Sequence, residues 1–272
     1  MAKMIAVANQ KGGVGKTTTA VNVSASLGAH HQRVLLVDLD PQGNATMGCG
    51  VDKNDLVHTS NDVLLRDCLA EQACLSTQGG FDLIPSNGDL TVAEVSLMER
   101  NHRETFLFKA LQPLQSAYDY ILIDCPPALN TLTINALVAA DSVLIPMQCE
   151  YYALEGLAAL LSTVEQIRSS VNSRLHIEGV LRTMYDARNR LCGDVSKQLL
   201  EHFSHKVYRT VIPRNVRLAE APSHGLPALQ YDKTSPGAAA YMVLAAEIMG
   251  RQAAITTSAH HQTESSLNGT MN

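Results

Sequence analysis

The chain lacks the marks by which several protein classes show themselves. Its six cysteines (Cys49, Cys68, Cys74, Cys125, Cys149 and Cys192) form no C-x-x-C pair and no Cys/His cluster at zinc spacing. That argues against a structural zinc or a disulfide framework and for reduced thiols in a cytoplasmic setting. No segment approaches the roughly 18 apolar residues that span a bilayer, and the first apolar run, Met4–Ala8, is too short for the core of a signal peptide. A net charge of −5 gives no sign of a polyanion partner. The ten histidines are scattered, and the adjacent pairs His30-His31 and His260-His261 read as solvated positions. No internal repeat is evident. What is present is a chain of 272 residues, 46% hydrophobic, long enough for one large α/β core.

The most informative stretch is Gln10-Lys11-Gly12-Gly13-Val14-Gly15-Lys16-Thr17-Thr18. It follows an apolar run and opens a helical pattern, so a strand, a glycine turn and a helix N-terminus follow in order. Glycines let the backbone approach a ligand so that successive N–H groups point at phosphate oxygens. Lys16 is placed to reach β- and γ-phosphates and the Thr17 hydroxyl to ligate Mg²⁺, with Thr18 next in the same turn. The usual loop has glycine six residues before the lysine; here Gln10 stands there, and a second lysine, Lys11, fronts the loop.

Apolar runs alternate with helical patterns along the rest of the chain. Val34–Leu39, Phe81–Pro85, Tyr120–Asp124, Ser142–Pro146, Ile177–Thr183 and Lys206–Val211 read as further strands. Thr17–Leu27, Leu90–Leu114, Thr131–Ala139, Leu154–Val171, Val195–His202 and Pro236–Met249 read as helices. Continuous apolar runs such as Val34-Leu35-Leu36-Val37 suit strands covered on both faces. The expectation is a single α/β domain over residues 1–251, a mostly parallel twisted sheet with helices on both faces, followed by a disordered polar tail over 252–272. Asp124 ends one buried strand, where a nucleotide site holds its Mg²⁺ acid. Alternation in Val34–Asp40 sends Asp38 and Asp40 to one side, both toward the phosphates; Asp40 orients the attacking water, and it shares the metal with Thr17 and Asp124, the acids acting through water.

In these segments the chain resembles the ParA/Soj family of chromosome- and plasmid-partitioning ATPases. That family belongs to the deviant Walker-A class that also holds MinD and the nitrogenase iron protein. The resemblance runs from Met4 to Gly250. It rests on Asn9–Thr18, Val37–Thr46, Ile123–Pro127, Pro146–Gly156 and Ile212–Arg217. It implies an ATPase with ATP and Mg²⁺ as cofactors, working as a homodimer in which Lys11 crosses to the partner's nucleotide. It also puts Glu150 near the ribose across the dimer, and main chain around Met184, Pro213 and Asn215 against the adenine. It further implies slow intrinsic hydrolysis, acceleration by a ParB-type centromere-binding partner with a basic N-terminal segment, and a cytoplasmic, nucleoid-associated location.

Between Arg182 and Arg217, eight cations against three acids leave +5 on a chain whose total is −5. Such a segment suits contacts to phosphates of nonspecific double-stranded DNA, without base reading. The resemblance favours Arg188 and Arg217 for this role; charge alone adds Arg190 and Lys206. The end of the chain has neither the apolar face nor the basic cluster of a membrane-binding helix, and nine residues before the loop leave no room for an operator-reading domain. Rival readings are a positioning ATPase for a non-DNA cargo, an iron–sulfur carrier using Cys125 and Cys149, a small-molecule kinase or synthetase, and a membrane-cycling ATPase.

Overall fold

A computed structural model describes the backbone of residues 1–268 and the side chains of residues 1–254. Its strands are β1 (Lys3–Val7), β2 (Val34–Asp38), β3 (Leu75–Ser76), β4 (Asp82–Ile84), β5 (Tyr120–Asp124), β6 (Ser142–Gln148), β7 (His176–Tyr185) and β8 (Val207–Pro213). They form one sheet in the order β3-β4-β2-β5-β1-β6-β7-β8. All neighbours are parallel except the two-residue β3, which runs antiparallel to β4. The central strands are buried on both faces, as their unbroken apolar sequences require.

Side-chain alternation divides the core into two layers. Met4, Ala6, Leu35, Val37, Ile121 and Ile123 face one side. Over them lie α3 (Ser60–Leu65), α4 (Leu90–Met98), α5 (Phe106–Leu111), α6 (Thr131–Ala139), α7 (Ala153–Ser170) and α8 (Arg190–Phe203). Ile5, Val7, Leu36 and Leu122 face the other. That layer is closed by α1 (Lys16–Ala29), α2 (Asn44–Gly48), α9 (Val216–Glu220), α10 (Ala228–Tyr231) and α11 (Pro236–Asn268). The expected boundary at 251/252 falls inside α11, and most of the expected tail lies outside the residues whose side chains are described. No helix among the described residues is long and apolar enough to cross a membrane.

β1 sits between β5 and β6. The chain leaves it toward β2 on one side and later returns to place β6 on the other, and at such a switch point the loops leave a crevice beyond the strand ends. The expected helix Leu90–Leu114 is corrected by the structure: it breaks after Met98, where His102 takes a left-handed backbone (φ 54°), and again at a short turn containing Pro113. Proline in a helix interior forfeits a backbone hydrogen bond and clashes with the preceding turn.

Candidate nucleotide site

The loop after β1 adopts the geometry that its glycines allow. Gly13 and Gly15 have φ of 73° and 87°, which side-chain-bearing residues avoid, and Gly15 caps α1. The first turn of α1 carries no acid, so its N–H groups and positive helix end are left for an anion. Two distant residues pin the loop. Asn9 donates through Nδ2 to the Pro146 carbonyl (2.7 Å) and accepts from the Lys11 N–H (3.0 Å). Thr183, on β7, donates through Oγ1 to the Val14 carbonyl (2.8 Å). Val14 itself is buried, so it serves the loop through its backbone.

A cavity of 630 Å³ opens above the loop, lined by Gly12, Gly13, Gly15, Lys16, Thr17, Thr18 and Asp40, with Pro127 at its edge. A second cavity of 180 Å³ is lined by Met184, Ile212, Pro213, Asn215 and Tyr241. Gly15, Thr18 and Met184 border both, so the larger chamber, which holds the lysine and acid side chains, runs into a smaller, more apolar one. Met184 joins them with a left-handed backbone (φ 49°), unusual for a residue that is not glycine. In the smaller chamber the buried Asn215 Oδ1 meets no hydrogen-bond donor among the described residues.

The acids divide by role. Asp38 does not face the larger cavity beside Asp40, contrary to the sequence expectation. β2 ends at Asp38, so strand alternation stops before Asp40. Asp38 is fully buried and accepts from the Thr46 N–H (2.8 Å) and hydroxyl (2.7 Å) and from the Asp40 N–H (3.2 Å). Burial pushes its carboxyl up to about 6, against the hydrogen bonds from Thr46 and Asp40. Ser86 extends the network: its N–H donates to Thr46 Oγ1 (2.8 Å) and its hydroxyl to the Asp40 carbonyl (2.9 Å). Asp40 is thus held from behind, and Gln42 N–H bonds its Oδ1 (2.9 Å).

Asp124 is Asp38's register partner across β2 and β5. It is fully buried, and neither carboxylate oxygen has a hydrogen-bond partner among the described residues. Burial first, then the nearby Asp38, raises its carboxyl well above the ordinary range; Thr17 and Lys16 act in the opposite direction. Buried acid oxygens beside a threonine hydroxyl fit a hard divalent cation that takes few protein ligands and completes its shell with water and phosphate. The described residues accordingly hold no cluster of three or more acid, His or Cys groups able to bind a metal alone. Lys16 lies among the same groups, its ammonium disfavoured by burial and supported by Asp124, Cys125 and Asp40; its Nζ donates to the Lys11 carbonyl (3.2 Å).

Lys11 and Glu150 line neither cavity. They form an ion pair with each other, each side chain a little under half exposed, beside the exposed Tyr151 and Tyr152. The cationic surface is likewise divided. Arg188 pairs with Asp186 (3.0 Å), Arg217 with Glu220 (2.7 Å) and Asp232 (3.4 Å), and Arg190 stands exposed at the start of α8. Lys206 does not join them. It precedes β8, whose far end at Pro213 borders the smaller cavity, so the length of a seven-residue strand, roughly 20 Å, separates it from the others. Cys125 and Cys149 are buried.

The sequence reading missed Thr46, Ser86 and Thr183. Ser/Thr residues are common at turns and strand ends, and nothing local marks these three; their partners lie 8, 40 and 169 residues away.

Comparison with known proteins bears on the family and the fold. A family profile described as "AAA domain" matches residues 2–177. The chain is 53% identical to the sporulation initiation inhibitor protein Soj of Bacillus subtilis, over 91% of this chain and 98% of that protein. It is 48% identical to the chromosome partitioning protein ParA of Caulobacter vibrioides, over 92% and 95%. Among solved structures, one named as cobyrinic acid a,c-diamide synthase from Mycobacterium smegmatis, with bound ADP and magnesium, superposes with a TM-score of 0.81 at 38% identity, covering 92% of this chain and 94% of that one. By its phosphate loop, its acids and these likenesses, the chain belongs to the ParA/Soj family of partitioning ATPases.

Proposed function

We propose that this ATPase is a nucleotide-gated switch that moves DNA cargo. One observation carries the reading: Lys16, Thr17 and Asp40 line one chamber, with the buried, unpartnered Asp124 next to Lys16 and Thr17, while Lys11 stands outside it on the surface. ATP lies with its phosphates over the loop and its base against Met184, Pro213 and Asn215. Thr17 and, through water, Asp40 and Asp124 would hold Mg²⁺, which when bound would screen the phosphate charge. Lys16 and the loop N–H groups meet the charge that grows on the phosphate oxygens as the terminal bond breaks. Asp40 orients the attacking water.

Lys11, unneeded by its own chamber, reaches a second copy's nucleotide in a two-fold dimer and adds a cation in trans. Glu150 comes close to the ribose at the same interface. The closed dimer binds double-stranded DNA through Arg188, Arg190 and Arg217 without reading sequence, and hydrolysis releases it. A ParB-type partner accelerates a slow intrinsic rate. An iron–sulfur carrier needs thiols at a shared surface, and the burial of Cys125 and Cys149 speaks against it. A synthetase needs room for a second substrate; here the two joined chambers suit one nucleotide.

Lys11→Ala tests the switch. The monomer should bind ATP with wild-type affinity, because Lys16 and the loop backbone remain, but lose ATP-driven dimerisation measured by light scattering with a slowly hydrolysed analogue. A variant that still dimerises fully with the analogue overturns the trans role.

A further inference from the structure

Helix α4 buries one face and shows another. Leu90, Ala93 and Leu97 lie in the core, whereas Val92, Val95 and Met98, three residues apart, are 57, 60 and 54% exposed. A surface helix ordinarily places polar residues there. Beside this stripe runs a groove of 430 Å³ whose other wall is Leu129, Asn130 and Ile134, at the start of α6.

The groove has an acidic rim. Glu94 and Glu104 line it, and Glu99 stands exposed at the end of α4. Two cations stand close by, Arg103 on the groove's own lining and Arg100 near it, and both are tied to backbone carbonyls and not to these acids. Arg103 donates to the Met98 carbonyl (2.9 Å), and Arg100 donates to the Leu65 carbonyl (3.4 Å) and lies over the Phe106 ring. Glu94 and Glu99 meet no cation among the described residues, and Glu104 has His102 at 3.9 Å. An apolar stripe edged by unpaired carboxylates matches a segment that carries Lys or Arg among apolar residues. A second copy of this chain would bring the same acids against one another across a two-fold axis, which like-charge repulsion opposes.

The groove also touches the chemistry. Leu129 and Asn130 belong to the loop that leaves Asp124, and Pro127 in that loop edges the phosphate chamber. Whatever seats on Leu129 bears on the segment that sets Asp124.

We propose that this groove docks a short, basic, apolar-anchored segment of the partner that accelerates hydrolysis; the proposal rests on the partner reading above. The test uses the full chain and a labelled peptide copying the basic N-terminal segment of a ParB-type protein, with binding read by fluorescence anisotropy. Val95→Lys with Met98→Lys should weaken binding by roughly tenfold or more, as loss of an interface anchor does, and should abolish stimulation by the full partner. Glu94→Gln with Glu99→Gln should weaken it less and flatten its salt dependence. Unstimulated hydrolysis and ATP-driven dimerisation should be unchanged in both variants, since none of these residues belongs to the nucleotide chamber. Wild-type affinity in the double-lysine variant overturns the docking site alone. Normal peptide binding with impaired dimerisation assigns the face to a second copy and overturns it as well. A wild-type protein that ignores both peptide and partner removes the partner reading and the site together.

Discussion

At the scale of single residues, the site is a set of carboxylates separated by what stands behind them. Asp40 lines the chamber because Asp38, Thr46 and Ser86 hold its backbone there. Asp40→Ala should bind ATP and hydrolyse it far more slowly, whereas Lys16→Ala should fail at nucleotide binding. Thr46→Val separates positioning from chemistry. It removes the hydroxyl bond to Asp38 and the acceptor of the Ser86 N–H, so turnover should fall, by up to about 10²-fold for a displacement near 1 Å, while ATP affinity in an equilibrium assay stays near wild type. Turnover at the wild-type rate in Thr46→Val would mean that Asp40 needs no such support. Asp38 also predicts a pH effect. Its carboxyl is raised from the ordinary 3.8 to about 6, so between those values the folded chain holds more protons than the unfolded one. Stability from this source is therefore present at pH 4 and lost as pH rises through 6. Asp38→Asn removes that loss directly and also relieves Asp124 of a like charge. Thermal melts of the nucleotide-free protein from pH 4 to 7 should show a shallower decline for the variant; parallel curves would place the raised carboxyl elsewhere.

At the scale of elements, the sequence was most legible where local chemistry and tertiary demand agree. The strand–glycine turn–helix unit around Lys16 could be read directly, because continuous apolar residues need two covered faces and glycines mark the positive-φ turn. The helix over Leu90–Leu114 could not, because its break depends on where His102 must turn the chain and on Pro113. Short α2 and α3 were missed, although Thr59 and Asp62 do form a reciprocal cap on α3, a pattern visible in the sequence. The Lys11–Glu150 pair, 139 residues apart, had no local signal; their meeting follows from β1 and β6 lying side by side. Charge counting found a basic segment but not its geometry, since β8 carries Lys206 to the far end of the sheet. The surface at the start of α8 is therefore the place to test DNA contact. Arg188→Ala with Arg190→Ala should weaken binding of the ATP-locked dimer to unrelated duplexes alike and lower the logarithmic salt slope by about 0.9 per lost phosphate contact. A loss confined to one duplex would point to base reading instead.

At the scale of the whole molecule, the two faces of the sheet do different work. The face under α1 and α11 builds the nucleotide chambers, and the face under α3 to α8 carries the acidic groove and the exposed start of α8. Tyr241 joins α1 to α11: it is fully buried, walls the smaller chamber, and its hydroxyl meets Thr19 Oγ1 at 3.1 Å. Tyr241→Ala should cost about 3–5 kcal/mol, as for other large aromatic deletions in a core, seen as a lowered denaturation midpoint. It should also weaken ATP binding even where the chain remains folded; a destabilised variant with unchanged ATP affinity would remove Tyr241 from the nucleotide wall. The same contact spans 222 residues and so orders events at birth. A ribosome delivers the phosphate loop among the first residues and the wall behind its helix only near the end. Until α11 emerges, α1 has no partner on that side and the smaller chamber has no Tyr241. A nascent chain therefore carries the phosphate loop and its supports before the Tyr241 wall of the smaller chamber exists, and a half-made copy holds only part of the site.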